Sequence, residues 1–403
     1  MKIGILGLGT VGGGVWDILS TTKFQEYDIK VKTALVRNKS KYISYEEQGL
    51  NLTLEPYEIL NDPEIDTVVE VMGGIDKPYE YIKYALSQGK HVVTANKAVL
   101  AKHMEEFLAL AKNHNAALLY EASVGGGIPL IKPLKQNARI NNFYEISGIL
   151  NGTSNFILSK MSKEGLEFAD VLKQAQEKGY AEQDPSDDID GTDMARKISV
   201  LSSTIFKKHL PLEQIQINGI RHIEKQDMDI AKKAGCDIKL IARSNYENNN
   251  YKAAVEPVIL KQNSIFAQVS DAYNIGMAKG DNLSEVSFYG EGAGRYATAN
   301  AVVSDLLDIY NHEAIEHLAV DFSSTKVNPI LADYYVRLND TNKIEELKAK
   351  LSAYNLINLH KGAFIAEKIT SSEIKNYADE INVANQNYFI ARLDDALIPS
   401  ELL

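Results

Sequence analysis

The amino-acid sequence predicts an α/β protein in three parts. Residues 1–130 form a doubly wound parallel sheet, residues 131–289 an α+β domain, and residues 325–403 a small βαββαβ unit. Three observations carry this. Short apolar runs alternate with helical periodicity through the first 130 residues, and a glycine-rich turn follows the first run directly. Beyond residue 130, strand-like runs lie next to one another and the amphipathic helices lengthen. A chain of 403 residues with 45% hydrophobic content has enough apolar side chains for two or three cores.

In the first part, the apolar run 2–6 leads into Gly7-Leu8-Gly9-Thr10-Val11-Gly12 and then a helix over 11–19. This is G-x-G-x-x-G between a strand and a helix. The first two glycines allow a tight turn and close approach of a pyrophosphate. The third lets helix and strand pack closely, and the helix N-terminus supplies positive potential. The turn predicts a Rossmann-type dinucleotide site, which places Gly9, Thr10, Val11 and Gly12 at the cofactor. The second strand, 30–36, ends at Arg37-Asn38-Lys39, where an acid would accept a ribose 2′-hydroxyl. Arg37, with Lys39 and Lys41 behind it, predicts a 2′-phosphate pocket and so NADP in preference to NAD.

Next come a strand over 66–72, a helix over 78–87 and a strand over 91–94. The last presents Ala95-Asn96-Lys97 at its carboxyl end, where ligands sit in open parallel sheets, so Lys97 is a candidate for chemistry. A helix over 99–113 and a strand over 117–122 follow. Glu121-Ala122-Ser123-Val124-Gly125-Gly126-Gly127-Ile128 then offers one carboxylate and a glycine-rich loop able to turn carbonyls inward, which suits a hard cation. The competing interpretation is an ordinary turn into the next helix.

In the middle part, a strand over 143–150 ends in the polar turn Asn151-Gly152-Thr153-Ser154-Asn155 before a helix over 156–161. Strand-like runs at 238–243, 251–260 and 285–289 predict a largely antiparallel sheet with a dimer surface. The loop Gly290-Glu291-Gly292-Ala293-Gly294-Arg295 and a helix over 297–310 predict a return to the first part, over about 290–317. The tail reads strand 334–338, helix 343–354, strands 356–364 and 365–369, helix 372–381 and strand 388–393, which is the ferredoxin-like order.

The stretch 179–197 carries the densest chemistry. Between Glu182 and Asp193 it holds six acids, broken by Pro185 and Gly191. A helix then starts near Asp193, with Met194, Ile198, Leu201 and Ile205 at helical spacing and Lys197 four residues on, on the same face. Spacing alone fits a solvated pair beside a helix dipole. The alternative is a carboxylate-rich loop binding an amine-bearing substrate, with Lys197 moving a proton.

Bulk properties remove other classes. The formal charge is −11 without a long basic run, which argues against nucleic acid and anionic membranes. Cys236 is the single cysteine, which excludes an intrachain disulfide framework and fits a reducing cytoplasm. The opening residues lack a small-residue cleavage site, and no run of 18 apolar residues spans a bilayer. His222 reads as a structural histidine.

Taken together, these residues resemble homoserine dehydrogenase of the bacterial type with a C-terminal ACT-like domain. The diagnostic stretch is present in full: Ala175, three residues, Gly179-Tyr180-Ala181, two residues, Asp184-Pro185, two residues, Asp188-Ile189, one residue, Gly191, one residue, Asp193, three residues, Lys197. The resemblance covers about residues 1–320. It implies NAD(P)H-dependent interconversion of L-aspartate-4-semialdehyde and L-homoserine on the route to threonine and methionine. It further implies that Glu182 and Asp188 bind the substrate amino group, with Asp193 beside the reacting end and Lys197 and Lys97 flanking the carbonyl. Gly9, Thr10, Val11, Gly12, Arg37, Lys97, Gly292 and Arg295 would hold the dinucleotide. Carbonyls of Val124, Gly126 and Ile128, with Glu121, match a sodium-binding loop. A homodimer or higher homo-oligomer is implied as well. The tail departs from the family's effector pattern, because Asn339-Asp340-Thr341-Asn342 holds neither Gly nor Pro. The rival classes are a non-catalytic NADP sensor, opposed by the intact Asp193 and Lys197, and a sugar or amino-acid dehydrogenase sharing only the nucleotide domain.

Overall fold

Ile3, Ile5 and Leu6 are fully buried, and the strand they build, β1 (Lys2–Leu6), lies inside a six-stranded sheet. Its partners are β2 (Lys30–Leu35), β3 (Asn51–Thr53), β4 (Thr67–Glu70), β5 (His91–Thr94) and β6 (Leu118–Leu119). All pairings are parallel, in the order β3-β2-β1-β4-β5-β6. The central strands β1, β4 and β5 are buried along nearly their whole length, as suits a sheet with helices on both faces. The order reverses between β1 and β4, and the glycine-rich turn leaves β1 at that switch point. Val302 and Leu306, from the late helix Arg295–Tyr310, share one core with Ile3, Ile5, Val15, Val69 and Val93. The late helix therefore packs into the core of this sheet.

The computed structural model describes residues 1–313, 319–359, 362–381, 383 and 388–402. Residues 314–317 of the expected return segment and 360–361 of the expected strand 356–364 lie outside the described residues. The chain divides into two units. The first comprises Met1–Asn142, Ser199–Leu212 and Gly290–Ser324. The second comprises Phe143–Ile198, Glu213–Tyr289 and Thr325–Leu403.

The second sheet is largely antiparallel, as expected, and mixed through a few short parallel pairings. It contains β7 (Phe143–Ile149), β8 (Gln216–Ile217), β9 (Cys236–Glu247), β10 (Asn250–Lys261), β11 (Tyr273–Gly280) and β12 (Ser284–Glu291). The tail adds β13 (Lys326–Asn328), β14 (Leu331–Leu338), β15 (Leu356–Asn358), β16 (Ala363–Thr370) and β17 (Tyr388–Leu393). The main order is β12-β11-β7-β9-β10-β17-β14-β16-β15, with β8 and β13 also on β10. β10 takes β8, β13 and β17 in the parallel sense. The four tail strands β14–β17 pair antiparallel among themselves, with helices Ile344–Lys350 and Ser371–Glu380 on the connections.

Among the boundaries that differ from the sequence expectation, three have a local cause. The strand expected over 117–122 shortens to Leu118–Leu119, followed by a 3-10 turn at Glu121–Ser123. Glu121 leaves the ladder because its carboxylate takes up the first N–H groups of the next helix. The helix expected over 156–161 runs Gly152–Glu164, since the Asn151 side chain caps it by accepting from Ser154 N at 2.8 Å. The expected break between strands at 364–365 falls instead before β16, at Gly362, whose φ of +89° only glycine adopts readily.

Candidate functional site

In the first unit the turn after β1 is built around its glycines. A Cβ on Gly12 would lie 2.0 Å from the Gly7 carbonyl oxygen, so no other residue fits there without movement. A Cβ on Gly9 would meet nothing within 4 Å, so the backbone is open to close approach where the helix Thr10–Leu19 begins. A cavity of about 620 Å³ adjoins the turn; Gly7, Gly9, Arg37, Asn38, Lys41 and Met72 are among its lining residues. The size and the open backbone fit a dinucleotide, and Arg37 and Lys41 bring two cations to the cavity wall.

A buried carboxylate that sequence reasoning missed ties down the ends of β4 and β5. Glu70 is fully buried and accepts from Met72 N at 2.9 Å and from the Thr94 hydroxyl at 2.6 Å. Thr94 Oγ1 accepts from Asn96 N at 3.0 Å, and Asn96 Nδ2 donates to the Gly74 carbonyl at 2.9 Å. Burial pushes the Glu70 carboxyl up, against the opposing effect of these donors. Lys97 begins the helix Lys97–Asn113 at the end of this network, and Asn96 caps that helix by accepting from Val99 N. An acid closing an otherwise apolar strand is the signal that could have found Glu70.

The two other glycine-rich loops of this unit lock together. A Cβ on Gly126 would fall 2.3 Å from the Gly292 carbonyl oxygen, and Gly127 N donates to Glu291 O at 3.2 Å. Arg295 binds Asp17 through Nε at 3.1 Å and Nη2 at 2.8 Å, and Nη2 also donates to the Tyr45 hydroxyl at 2.7 Å. Its guanidinium thus fastens the late helix to the glycine-turn helix, and Arg295 is not among the cavity-lining residues.

The Glu121 carboxylate accepts from Leu130 N at 2.6 Å, Ile131 N at 2.9 Å and Lys132 N at 2.6 Å. It serves the N-terminus of the helix Ile131–Asn137. Val124 and Ile128 are buried, and Gly125 and Gly126 both have positive φ. Among the described residues no group of three or more His, Cys, Asp or Glu is arranged to hold a metal ion.

In the second unit the helix Thr192–Phe206 begins beside the end of β7, and four polar groups meet there. Lys197 Nζ lies 2.6 Å from Asp193 Oδ2 and donates to the Leu150 carbonyl at 2.7 Å. Asn151 Nδ2 donates to Asp193 Oδ2 at 2.9 Å and to Asp188 Oδ1 at 2.6 Å. The Lys197 and Asp193 side chains are 12% and 7% exposed, so the pair is not the solvated surface pair that spacing alone allows. Burial raises the Asp188 carboxyl, Asn151 opposes that rise, and the Asp193 charge adds to it. Thr153 Oγ1 donates to the Tyr180 carbonyl at 2.6 Å, tying the acidic loop to the helix Gly152–Glu164. Glu182 is exposed on that loop. Asn151 is the linking residue that spacing did not single out, although it opens the polar turn after the 143–150 strand.

Such a cluster can hold an ammonium group and exchange a proton with a nearby hydroxyl, while the first unit can hold a nucleotide.

Two family profiles match the chain: "Homoserine dehydrogenase, NAD binding domain" over residues 7–121 and "Homoserine dehydrogenase" over 129–307. Homoserine dehydrogenase of Synechocystis sp. is 42% identical over 318 residues, 77% of this chain and 73% of its own. The crystal structure of a homoserine dehydrogenase from Thiobacillus denitrificans superposes with a TM-score of 0.87 at 34% identity, covering 98% of both chains. A hyperthermophilic archaeal homoserine dehydrogenase mutant in complex with NADPH gives a TM-score of 0.65 at 27% identity over 76% of this chain and 96% of that one. By sequence and by fold, the chain belongs to the homoserine dehydrogenase family, the NAD(P)-dependent oxidoreductases that act on the CH–OH group of homoserine.

Proposed function

We propose that this homoserine dehydrogenase interconverts L-homoserine and L-aspartate-4-semialdehyde with Lys197 as the proton-transferring residue and Lys97 as its electrostatic partner. The observation that carries the proposal is the fixed Lys197–Asp193–Asn151–Asp188 cluster. When bound, the nicotinamide supplies the hydride acceptor and donor. In the oxidation direction the substrate carbon loses hydride, and its hydroxyl proton passes to the Lys197 amine. In reduction, the same amine returns the proton to the developing alkoxide, which Lys97 stabilises. Asp193 and the Leu150 carbonyl hold the Lys197 amine in place, and Asp188 with Glu182 takes the substrate ammonium group.

The chain's own residues also suggest NADP as the preferred cofactor, with Arg37 and Lys41 on the 2′-phosphate and Gly9, Thr10, Val11 and Gly12 along the pyrophosphate. The NADPH complex of the archaeal relative supports that choice. Gly292 would close the site through its packing on Gly126, and Arg295 would act by fixing the glycine-turn helix. A sodium ion would rest on the carbonyls of Val124, Gly126 and Ile128. The Glu121 carboxylate fits such a site poorly, because its oxygens already accept three backbone N–H groups. In this proposal residues 1–130 with about 290–317 bind nucleotide, 131–289 bind substrate and pair the subunits of a homodimer, and 325–403 form an ACT-like domain. The antiparallel order β17-β14-β16-β15 supports the last assignment.

The test follows nicotinamide absorbance with homoserine and each cofactor, for the wild type and for Lys197→Ala. Homoserine-dependent reduction of NADP that the substitution removes supports the proposal. Unchanged turnover in the variant overturns the role of Lys197.

A further inference from the structure

Residues 216–224 form a strap with two sets of fastenings, both within the second unit. One set grips the acidic loop. Ile220 N donates to the Ile189 carbonyl at 2.7 Å, and a Cβ on Gly219 would lie 2.4 Å from that same oxygen, so the two backbones touch. Arg221 holds Asp190 in a two-pronged pair, Nε to Oδ1 at 2.8 Å and Nη2 to Oδ2 at 2.6 Å, and Nη2 also reaches the Ser186 hydroxyl at 3.0 Å. Ser186 in turn donates to Asp184 at 2.6 Å through its hydroxyl. A Cβ on Gly191 would meet Val255 and Ile217 at 3.0 and 3.1 Å, which closes the far end of the loop on the strap.

The other set runs to the tail. Lys375 Nζ donates to the Ile217 carbonyl at 2.9 Å, Gln216 Nε2 to the Ser372 hydroxyl at 3.0 Å, and Arg337 Nη2 to the His222 carbonyl at 2.7 Å. Arg337 is 1% exposed and is anchored by Asp227 at 2.7 Å, an acid that also accepts from the Tyr335 hydroxyl at 2.7 Å. The strap is therefore rigid on the tail side and carries the acidic loop on the other.

We propose that Arg221 is a positioning residue for the acidic loop. Through the strap, the tail sets the geometry with which Asp188 and Glu182 receive the amino end of the substrate. This rests on the proposed role of those two acids. A two-pronged guanidinium–carboxylate pair fixes direction as well as distance, which a single lysine contact does not. Asp190 and Arg221 are both partly exposed and lie outside the Lys197 cluster, so their loss leaves the core intact.

The experiment compares wild type, Arg221→Ala, Arg221→Lys, Asp190→Asn, the Arg221→Ala/Asp190→Asn double variant, and Lys375→Met. For each, kcat, KM for homoserine, KM for NADP and the melting temperature are measured. We expect Arg221→Ala to raise KM for homoserine about five- to tenfold, with kcat within about twofold and KM for NADP unchanged. Arg221→Lys should recover part of the loss, and the double variant should be no worse than either single one. Lys375→Met should shift KM in the same direction from the tail side. Unchanged KM in Arg221→Ala, or additive losses in the double variant, overturns the inference. A wild type that fails to oxidise homoserine would instead defeat the assignment of the acids, so the two failures are distinguishable.

Discussion

Lys197 and Asp193 lie one helical turn apart with Nζ and Oδ2 at 2.6 Å, Asp193 buried and Lys197 half-buried among polar partners. The same Asp193 oxygen accepts from Asn151, which also bonds Asp188, so one amide links both carboxylates beside a single amine. This arrangement fixes where the amine points before any substrate arrives.

Lys197→Ala should lower turnover by about a hundredfold or more, the scale of acid–base and oxyanion contributions, with NADP affinity nearly unchanged. It should also cost about 3 kcal/mol of stability, because it leaves Asp193 buried without its cation. Lys97→Ala should show the turnover loss. Single-turnover kinetics with denaturant unfolding of both variants checks the pair, and near-normal turnover in both would remove the lysines from the mechanism.

Arg37→Ala should weaken NADP about ten- to a hundredfold, the value of a charge-assisted contact of roughly 1.5–3 kcal/mol, and NAD far less. Titration of both cofactors decides. Equal losses would move Arg37 to the adenine or to the loop itself.

The KM for homoserine should climb as pH falls through the raised value of Asp188. Burial raises that carboxyl from its ordinary value, and only its ionised form attracts an ammonium group. Asp188→Asn should weaken binding and flatten this acidic limb. The stability consequence has the opposite sign from ordinary acid denaturation. An acid whose folded value is raised favours the fold at pH below its unfolded value, and that contribution disappears as pH rises through the folded one. A pH profile of KM in wild type and Asp188→Asn separates binding from stability.

Threonine should inhibit weakly or not at all. In the connection after β14, Asn342 N donates to Asp340 Oδ1 at 3.0 Å and Lys343 N to Asp340 O at 3.1 Å. These two N–H groups are used internally and an acid stands beside them, which disfavours an amino-acid carboxylate. Cooperative inhibition at micromolar threonine would contradict this.

Much of the first unit is legible along the chain because its interactions are local or periodic. A strand, a glycine turn and a helix follow within the first 19 residues, and the close approach at Gly12 is a contact between residues five apart. The Asp193–Lys197 pair is likewise a helical-turn neighbour. Glu121 shows the limit. Its place after a strand and before three glycines fits a cation site, yet its carboxylate is spent on the N–H groups of Leu130, Ile131 and Lys132.

By itself, the sequence determined the parallel sheet and its glycine turn, the acidic loop before Asp193, and the βαββαβ order of the tail. Each follows from side-chain periodicity, backbone freedom or a fixed short spacing. Only the tertiary structure decided that Asn151 bridges Asp188 and Asp193 across 37 and 42 residues, and that Arg295 spends its charge on Asp17, 278 residues away. It also decided that β10 takes parallel partners from the tail. Partner choice over such separations depends on which buried polar groups must be satisfied once the cores have closed, and no local pattern encodes that.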